Sequence, residues 1–224
     1  MNNLQKRIFT SLILTIVLLI CLFLNKYSWL ILIIIASIIS FFEFNNLVKK
    51  IWKKNEILKN LINITCFFYL FFFTYSAYEL YKEGLNITIF ILLICIFSDI
   101  GGYVIGKTIG GKKLTKISPN KTVAGSIGLF IFSLIPIIIF LLIYEFTKNI
   151  EFRIHNHEFD NIIFLCLFTS LICQLGDLFI SYYKRKAKIK DTGSILPGHG
   201  GLLDRIDGII FAVPFVIIVD KIFS

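Results

Sequence analysis

Charge is scarce in this sequence. Asp, Glu, Lys and Arg make up 17% of its 224 residues, against about 25% in an ordinary soluble domain. Proline is scarcer still, with 4 residues, and glycine stops at 14. A collagen-like or low-complexity disordered chain is therefore excluded. The five cysteines (Cys21, Cys66, Cys95, Cys166 and Cys173) all lie inside apolar runs, with no CxxC pair and no neighbouring histidine. Neither a disulfide framework nor a zinc site is supported, and they read as small buried hydrophobes. No internal repeat and no Pro- or Ser-rich linker divides the chain. What is abundant is apolar: 57% of the residues are hydrophobic, 24 of them Phe, and mean hydropathy is +0.83. A globule of this length has too little interior to hide so much apolar surface. The chain reads as an integral membrane protein.

Seven stretches, 8–24, 27–42, 60–78, 84–98, 122–144, 161–176 and 208–219, contain no Asp, Glu, Lys or Arg. A spanning helix needs about 20 mostly apolar residues. The first, third and fifth stretches qualify directly, and the others reach that length with flanking residues. The last is short and carries Pro214. The fold expected is all-α and polytopic, with about seven transmembrane helices. It forms one domain over 1–224, with N-terminal helices over 1–98 and catalytic loops and helices over 99–224. The first apolar run lacks a small-residue cleavage site and a second run follows it, so an uncleaved helix is expected. Of the 23 Lys and Arg residues, 18 fall at the N-terminus or in the segments after the second, fourth and sixth runs. The positive-inside rule puts that side, with the N-terminus, in the cytoplasm. The net charge of +9 then records topology and anionic lipid, and no nucleic-acid partner is expected. The setting implied is a multi-pass protein of a bacterial cytoplasmic membrane.

Two segments on that side break the apolar pattern. The first, 98–128, opens with Asp99 and continues through Gly101, Gly102, Gly106, Gly110 and Gly111 with interspersed lysines. Glycine lets backbone approach a ligand and lysine supplies compact positive charge for phosphate. A basic loop over anionic lipid is an equally open reading. The second segment is 176–208. Asp177 interrupts an apolar helix, which marks it as functional by default or else as a structural partner of Lys184. Asp204 and Asp207, three apart at the start of the last helix, share a face if that helix begins there. Carboxylates clustered with lysines and arginines suit a phosphoryl-handling magnesium site, because acids bind the hard cation and bases hold phosphates. His199, in PGHGG, has an accessible ring, although a lone histidine is commonly just solvated or hydrogen-bonded. His155 and His157, in a polar loop on the opposite side, are assigned no role. Phe67, Phe68, Phe71, Phe72 and Phe73 read as lipid-facing or packing residues.

The second segment resembles a known signature. Ser181-x-x-Lys184-Arg185, Lys190-Asp191-x-Gly193 and Leu196-Pro197-x-His199-Gly200-Gly201-Leu202-x-Asp204-Arg205-Ile206-Asp207 match phosphatidate cytidylyltransferases, also called CDP-diacylglycerol synthases, over 27 consecutive positions. Tyr183 is the one mild deviation. Asp99-x-x-Gly102-Tyr103, Gly106-Lys107, Gly110 and the run from Ile117 to Thr122 are similar to that family's looser second motif. Arg7 and Glu43-Phe44 fit its N-terminal pattern. Three departures stand out: Ala124 and Ile180 replace frequent glutamates, and Gly102-Tyr103 follows Asp99 where Ala-Tyr is common. The chain is also shorter than many relatives.

The resemblance implies transfer of CMP from CTP to phosphatidic acid, with membrane lipids as surroundings. It places metal ions (Mg²⁺, with K⁺ admitted in a paired site) at Asp177 and Asp204, with Asp207 as a further ligand. Catalytic roles are expected for Asp177, Lys184, Arg185, Asp204, Arg205 and Asp207. Substrate contacts are expected at Asp99, Ser118, Lys121, Ser181, Lys190, Asp191, His199, Gly200 and Gly201. A homodimer is common among such enzymes. Three other readings remain: a CTP-dependent lipid-alcohol kinase, a transporter using Asp99 and Asp177 as coupling carboxylates, and an inactive relative.

Overall fold

A computed structural model describes residues 3–115, 118, 121–147 and 159–223 of the chain. His155 and His157 lie outside these residues. Among the described residues eight helices follow one another: α1 (Asn3–Leu24), α2 (Lys26–Ile51), α3 (Glu56–Glu83), α4 (Leu85–Thr108), α5 (Val123–Phe132), α6 (Ile135–Thr147), α7 (Phe159–Lys186) and α8 (Leu203–Phe223). Among the described residues there is no strand beyond two isolated bridges, Lys113 with Thr122 and Leu196 with Gly200. The all-α expectation is met.

Local chemistry sets the helix starts. Asn25 Oδ1 accepts from the N–H groups of Tyr27 and Ser28, while Ser28 Oγ accepts from Asn25 N–H, closing a capping box on α2. Asn55 accepts from Leu58 N–H at 3.0 Å for α3, and Thr122 Oγ1 from Gly125 N–H at 3.0 Å for α5. Each satisfies a donor that a helix start leaves orphaned. Between α5 and α6, Pro136 has no N–H to give Phe132, Leu134 N–H turns to Ile131 O at 3.3 Å, and Ser133 Oγ donates to the Phe130 O so freed at 2.7 Å. The expected fifth span is thus a broken helix.

Among the described residues six segments are long and apolar enough to cross a membrane: Gln5–Leu24, Lys26–Ile51, Glu56–Glu83, Leu85–Thr108, Val123–Ile143 and Asn161–Lys186. The seventh expected span is α8. It has 21 residues, but Asp204, Arg205, Asp207, Asp220 and Lys221 crowd its ends. It packs against α7 and α3, and Ile210, Ala212, Val213, Val216 and Ile217 are buried there. The outward faces are apolar: Phe67, Phe68 and Phe71 are 56–69% exposed, whereas Phe73 of the same helix is buried in the core. Exposed apolar area on this scale belongs in lipid. All five cysteines are free thiols.

Tight glycine contacts set the two helix pairs that flank the polar end. A Cβ on Gly128 would lie 2.6 Å from Gly101 O and 2.5 Å from Ile105 Cβ, and one on Gly125 2.9 Å from Gly102 O. Only glycine permits α4 and α5 to approach this closely. Gly101, Gly102 and Gly106 thus lie within α4, against α5, and not in a loop, and of the three Gly102 also lines the polar cavity. Gly110 and Gly111 are in the loop, with open space around them. In the α7–α8 pair, a Cβ on Gly208 would run into Cys173 Sγ, and one on Gly176 would lie 2.7 Å from Asp207 O. That contact brings Asp177 of α7 and Asp207 of α8 to one cavity.

Candidate active site

A cavity of about 370 Å³ opens at the end of the bundle that carries the basic loops. Asp99 and Tyr103 reach it from α4, Ser118 and Lys121 from the loop before α5, and Ser126 from α5. Gln174, Asp177 and Lys184 line it from α7, and Asp204 and Asp207 from the first turns of α8. The two sequence segments singled out for their chemistry therefore converge, although about 80 residues separate their opening acids, Asp99 and Asp177. Asp204 and Asp207 do share a face.

Lysines hold two of the four carboxylates. Lys121 Nζ lies 2.5 Å from Asp177 Oδ2, and Lys184 Nζ 2.7 Å from Asp204 Oδ1. Lys184 is thus the partner of Asp204, and the structural pairing weighed for Asp177 and Lys184 is replaced by Asp177 and Lys121. Ser181 Oγ donates to Asp177 Oδ1 at 3.2 Å. The second oxygen of Asp204 accepts from Thr192 N–H at 2.7 Å and Gly201 N–H at 3.1 Å, with Thr192 Oγ1 at 3.0 Å. Burial pushes the Asp204 carboxyl up, but the Lys184 hydrogen bond and these amides outweigh it and hold it below the usual carboxylate range. Among the described residues, neither Asp99 nor Asp207 is in an ion pair.

The donor set can be tested against a divalent cation. Four carboxylates face two ammonium groups, leaving two formal negative charges in excess in a half-enclosed space. Carboxylate oxygens are the ligands that hard cations such as Mg²⁺ take. Among the described residues no three acids converge closely enough to hold an ion as they stand, and Lys121 and Lys184 each sit against one oxygen, of Asp177 and Asp204 respectively. The set fits such an ion in charge and donor type.

Other expected site residues stand outside the cavity lining. Arg185, Lys190, Asp191 and Arg205 are exposed and do not line the cavity. Gly200, at φ 87°, turns the loop beneath Asp191. The His199 ring faces α1: its Nε2 is 3.1 Å from Ser11 Oγ. Burial, then the charges of Arg205 and Arg7, lower its pKa. Arg7 Nε donates to Gly198 O at 2.9 Å and Thr10 Oγ1 to Pro197 O at 2.9 Å, so α1 clasps the PGHGG turn. Arg205 Nη2 donates to His199 O at 2.7 Å. Ala124 and Ile180 do not line the cavity, and Ile180 packs in the apolar core.

Three contributors escaped the sequence reading. Gln174 donates to Ser126 Oγ at 2.7 Å, and Thr192 stands between two carboxylates. Glu43 was read only as part of an N-terminal pattern. Its signal was available, since it is the sole acid in the 26 residues of α2 and an acid in a spanning helix is costly.

Fold and cavity together define a polytopic helical membrane protein with an acid-and-lysine site at its basic end. Comparison with known proteins makes the assignment specific: the cytidylyltransferase family model matches residues 53–223, and the chain belongs to that family. A Rickettsia bellii protein named phosphatidate cytidylyltransferase is 41% identical over 149 residues, which are 63% of this chain and 62% of that protein. Proteins of the same name from Staphylococcus saprophyticus and Staphylococcus aureus are 39% and 41% identical over 140 residues, 62% of this chain and 50% of theirs. The matched region thus spans between half and two thirds of these relatives' length.

Proposed function

We propose that this protein transfers CMP from CTP to phosphatidic acid, forming CDP-diacylglycerol and pyrophosphate. The observation that carries the reading is the meeting of Asp99, Asp177, Asp204 and Asp207 with Lys121 and Lys184 in one cavity, in a member of the cytidylyltransferase family. The relatives' shared name supports the choice of lipid acceptor.

Phosphatidate arrives already ionised, so its phosphate oxygen is a competent nucleophile and no strong general base is required. That oxygen attacks the α-phosphorus of CTP. The bond from the α-phosphorus to the bridging oxygen breaks, and its electron pair leaves with pyrophosphate. The protein's tasks are to bring two anions together and to stabilise charge on the α-phosphate and the leaving group. Lys121 and Lys184 are placed to exchange their carboxylate partners for phosphate oxygens. Exposed Arg185, Lys190 and Arg205 add to the positive field that concentrates anionic substrates. Asp177, Asp204 and Asp207 would hold Mg²⁺, with K⁺ in a paired site. Bound there, the ion supplies charge neutralisation at the α-phosphate and the departing pyrophosphate. By the positive-inside rule the basic end faces the cytoplasm, where CTP is found.

Detergent-purified protein incubated with CTP, phosphatidic acid and Mg²⁺, with and without EDTA, tests the reading. Lipid-linked CMP plus pyrophosphate, lost on chelation, is expected. Release of CDP with phosphorylation of a lipid alcohol would move the protein to the kinases. Ion-driven uptake into proteoliposomes without CTP would move it to the transporters.

A further inference from the structure

Glu43 is 3% exposed, in the helix α2 that lies outside the cavity lining. Its Oε2 accepts from Leu203 N–H and Thr192 Oγ1, each at 2.9 Å, and its Oε1 from Leu202 N–H at 3.1 Å. These partners are 149–160 residues away in sequence. Leu203 opens α8 and Leu202 stands just before it, where amides have no partner within the helix. A carboxylate borrowed from α2 therefore serves as the cap that α8 lacks in its own sequence.

The surrounding backbone is shaped to that carboxylate. A Cβ on Gly193 would meet Glu43 Oε1, and one on Gly201 would meet Oε2. Two signature glycines thus leave room for a side chain from the N-terminal helices. Thr192 Oγ1 has one proton and stands between Glu43 Oε2 and Asp204 Oδ2. Asp204 Oδ2 already receives Thr192 N–H and Gly201 N–H, so the hydroxyl proton is best directed to Glu43.

We propose that Glu43 is a positioning residue for the catalytic site: it fixes the 192–203 loop and the start of α8, and so sets where Asp204, Asp207 and Lys184 stand. This rests on the cytidylyl-transfer reading only for its kinetic consequence. The anchoring itself is a property of the fold.

Glu43→Gln keeps the shape but replaces one acceptor oxygen with a donor that faces Leu203 N–H or Leu202 N–H. Two readouts on full-length protein in detergent test the proposal. Hydrogen exchange is expected to accelerate at 192–203 in the variant, with α3 and α4 unchanged. In turnover with CTP and phosphatidic acid, kcat should fall by about 100-fold, the scale of a small misplacement of catalytic groups, while KM for CTP stays within about threefold. Glu43→Asp, which keeps the charge but reaches less far, should recover part of kcat. Unchanged exchange at 192–203, or a kcat within about threefold of wild type, overturns the proposal. Loss of protection throughout the bundle in both variants also overturns it, assigning Glu43 to general stability. If the wild-type protein shows no turnover, the proposed function fails, and exchange at 192–203 alone then upholds or refutes the anchor.

Discussion

Replacing Asp204 with Asn removes one charge at the most heavily bonded carboxylate of the site. The side chain is 6% exposed and its lysine partner 14%, so solvent screens the pair little. Asparagine offers one oxygen where aspartate offers two, and either orientation fails. With the oxygen toward Thr192 N–H and Gly201 N–H, the amide NH₂ faces the Lys184 ammonium, and breaking a buried pair this way costs about 3–5 kcal/mol. With the oxygen toward Lys184, two backbone donors face the NH₂, at about 1–3 kcal/mol for each unsatisfied group. Both routes lead to about 3 kcal/mol, equivalent to a melting temperature lower by about 6–12 °C for a chain of this size. Turnover should fall by about 100-fold or more, because the carboxylate, its lysine and the adjacent loop all move. The assay is product formation beside a thermal melt in the same detergent, for Asp204→Asn, Lys184→Met and the double variant. The two single changes should be non-additive by about 1.5 kcal/mol or more, since they share one contact. Retention of about a tenth of wild-type turnover, where misplacement predicts far less, would refute the role given to Asp204. Additive melts would refute the pair.

Three further outcomes follow from other parts of the molecule. Gly128→Ala should destabilise α4–α5 despite alanine's better helix propensity, because overpacking costs about 1–3 kcal/mol against roughly 1 kcal/mol gained. A thermal melt no lower than wild type would contradict the close approach at Gly101 O and Ile105. His199 has a pKa below its ordinary value, so the folded state binds its proton more weakly than the unfolded chain. Its contribution to stability is complete above an unfolded value of about 6.5 and is lost as pH falls below that toward the folded value. Melts from pH 7.5 to 5 should therefore slope less in His199→Gln than in wild type, and identical slopes would contradict the assignment. Lys26→Ala, at the opposite end of α2 from the site, should leave turnover at the wild-type level. Strong loss there would overturn the arrangement of helix ends.

Much of this was legible in the residues. The apolar runs alone demand helices, because backbone in lipid has no other partner for its N–H and C=O groups. Asp177, Asp204 and Asp207 announced themselves as acids too costly to keep in or beside a spanning helix without a role. The clustering of lysines between alternate runs marked one end of the bundle before any packing was known. The seven-span expectation was harder to settle at its last member, since charges at both ends of α8 shorten its apolar centre.

Pairing, by contrast, was decided only in three dimensions. Which lysine meets which carboxylate depends on how α4, α5, α7 and α8 cross, and glycine contacts between neighbouring backbones govern those crossings. No periodicity records that Gly101 faces Gly128, or that Gly193 and Gly201 leave space for Glu43. Glu43 itself was visible as a lone acid, but its partners lie about 150 residues further along the chain, and a contact across that separation leaves no trace in local pattern. Composition and spacing determined the membrane setting, the helices and the candidate acids, because each is a cost paid residue by residue. The tertiary structure decided their neighbours, because a carboxylate's partner is whichever donor the packing brings within reach.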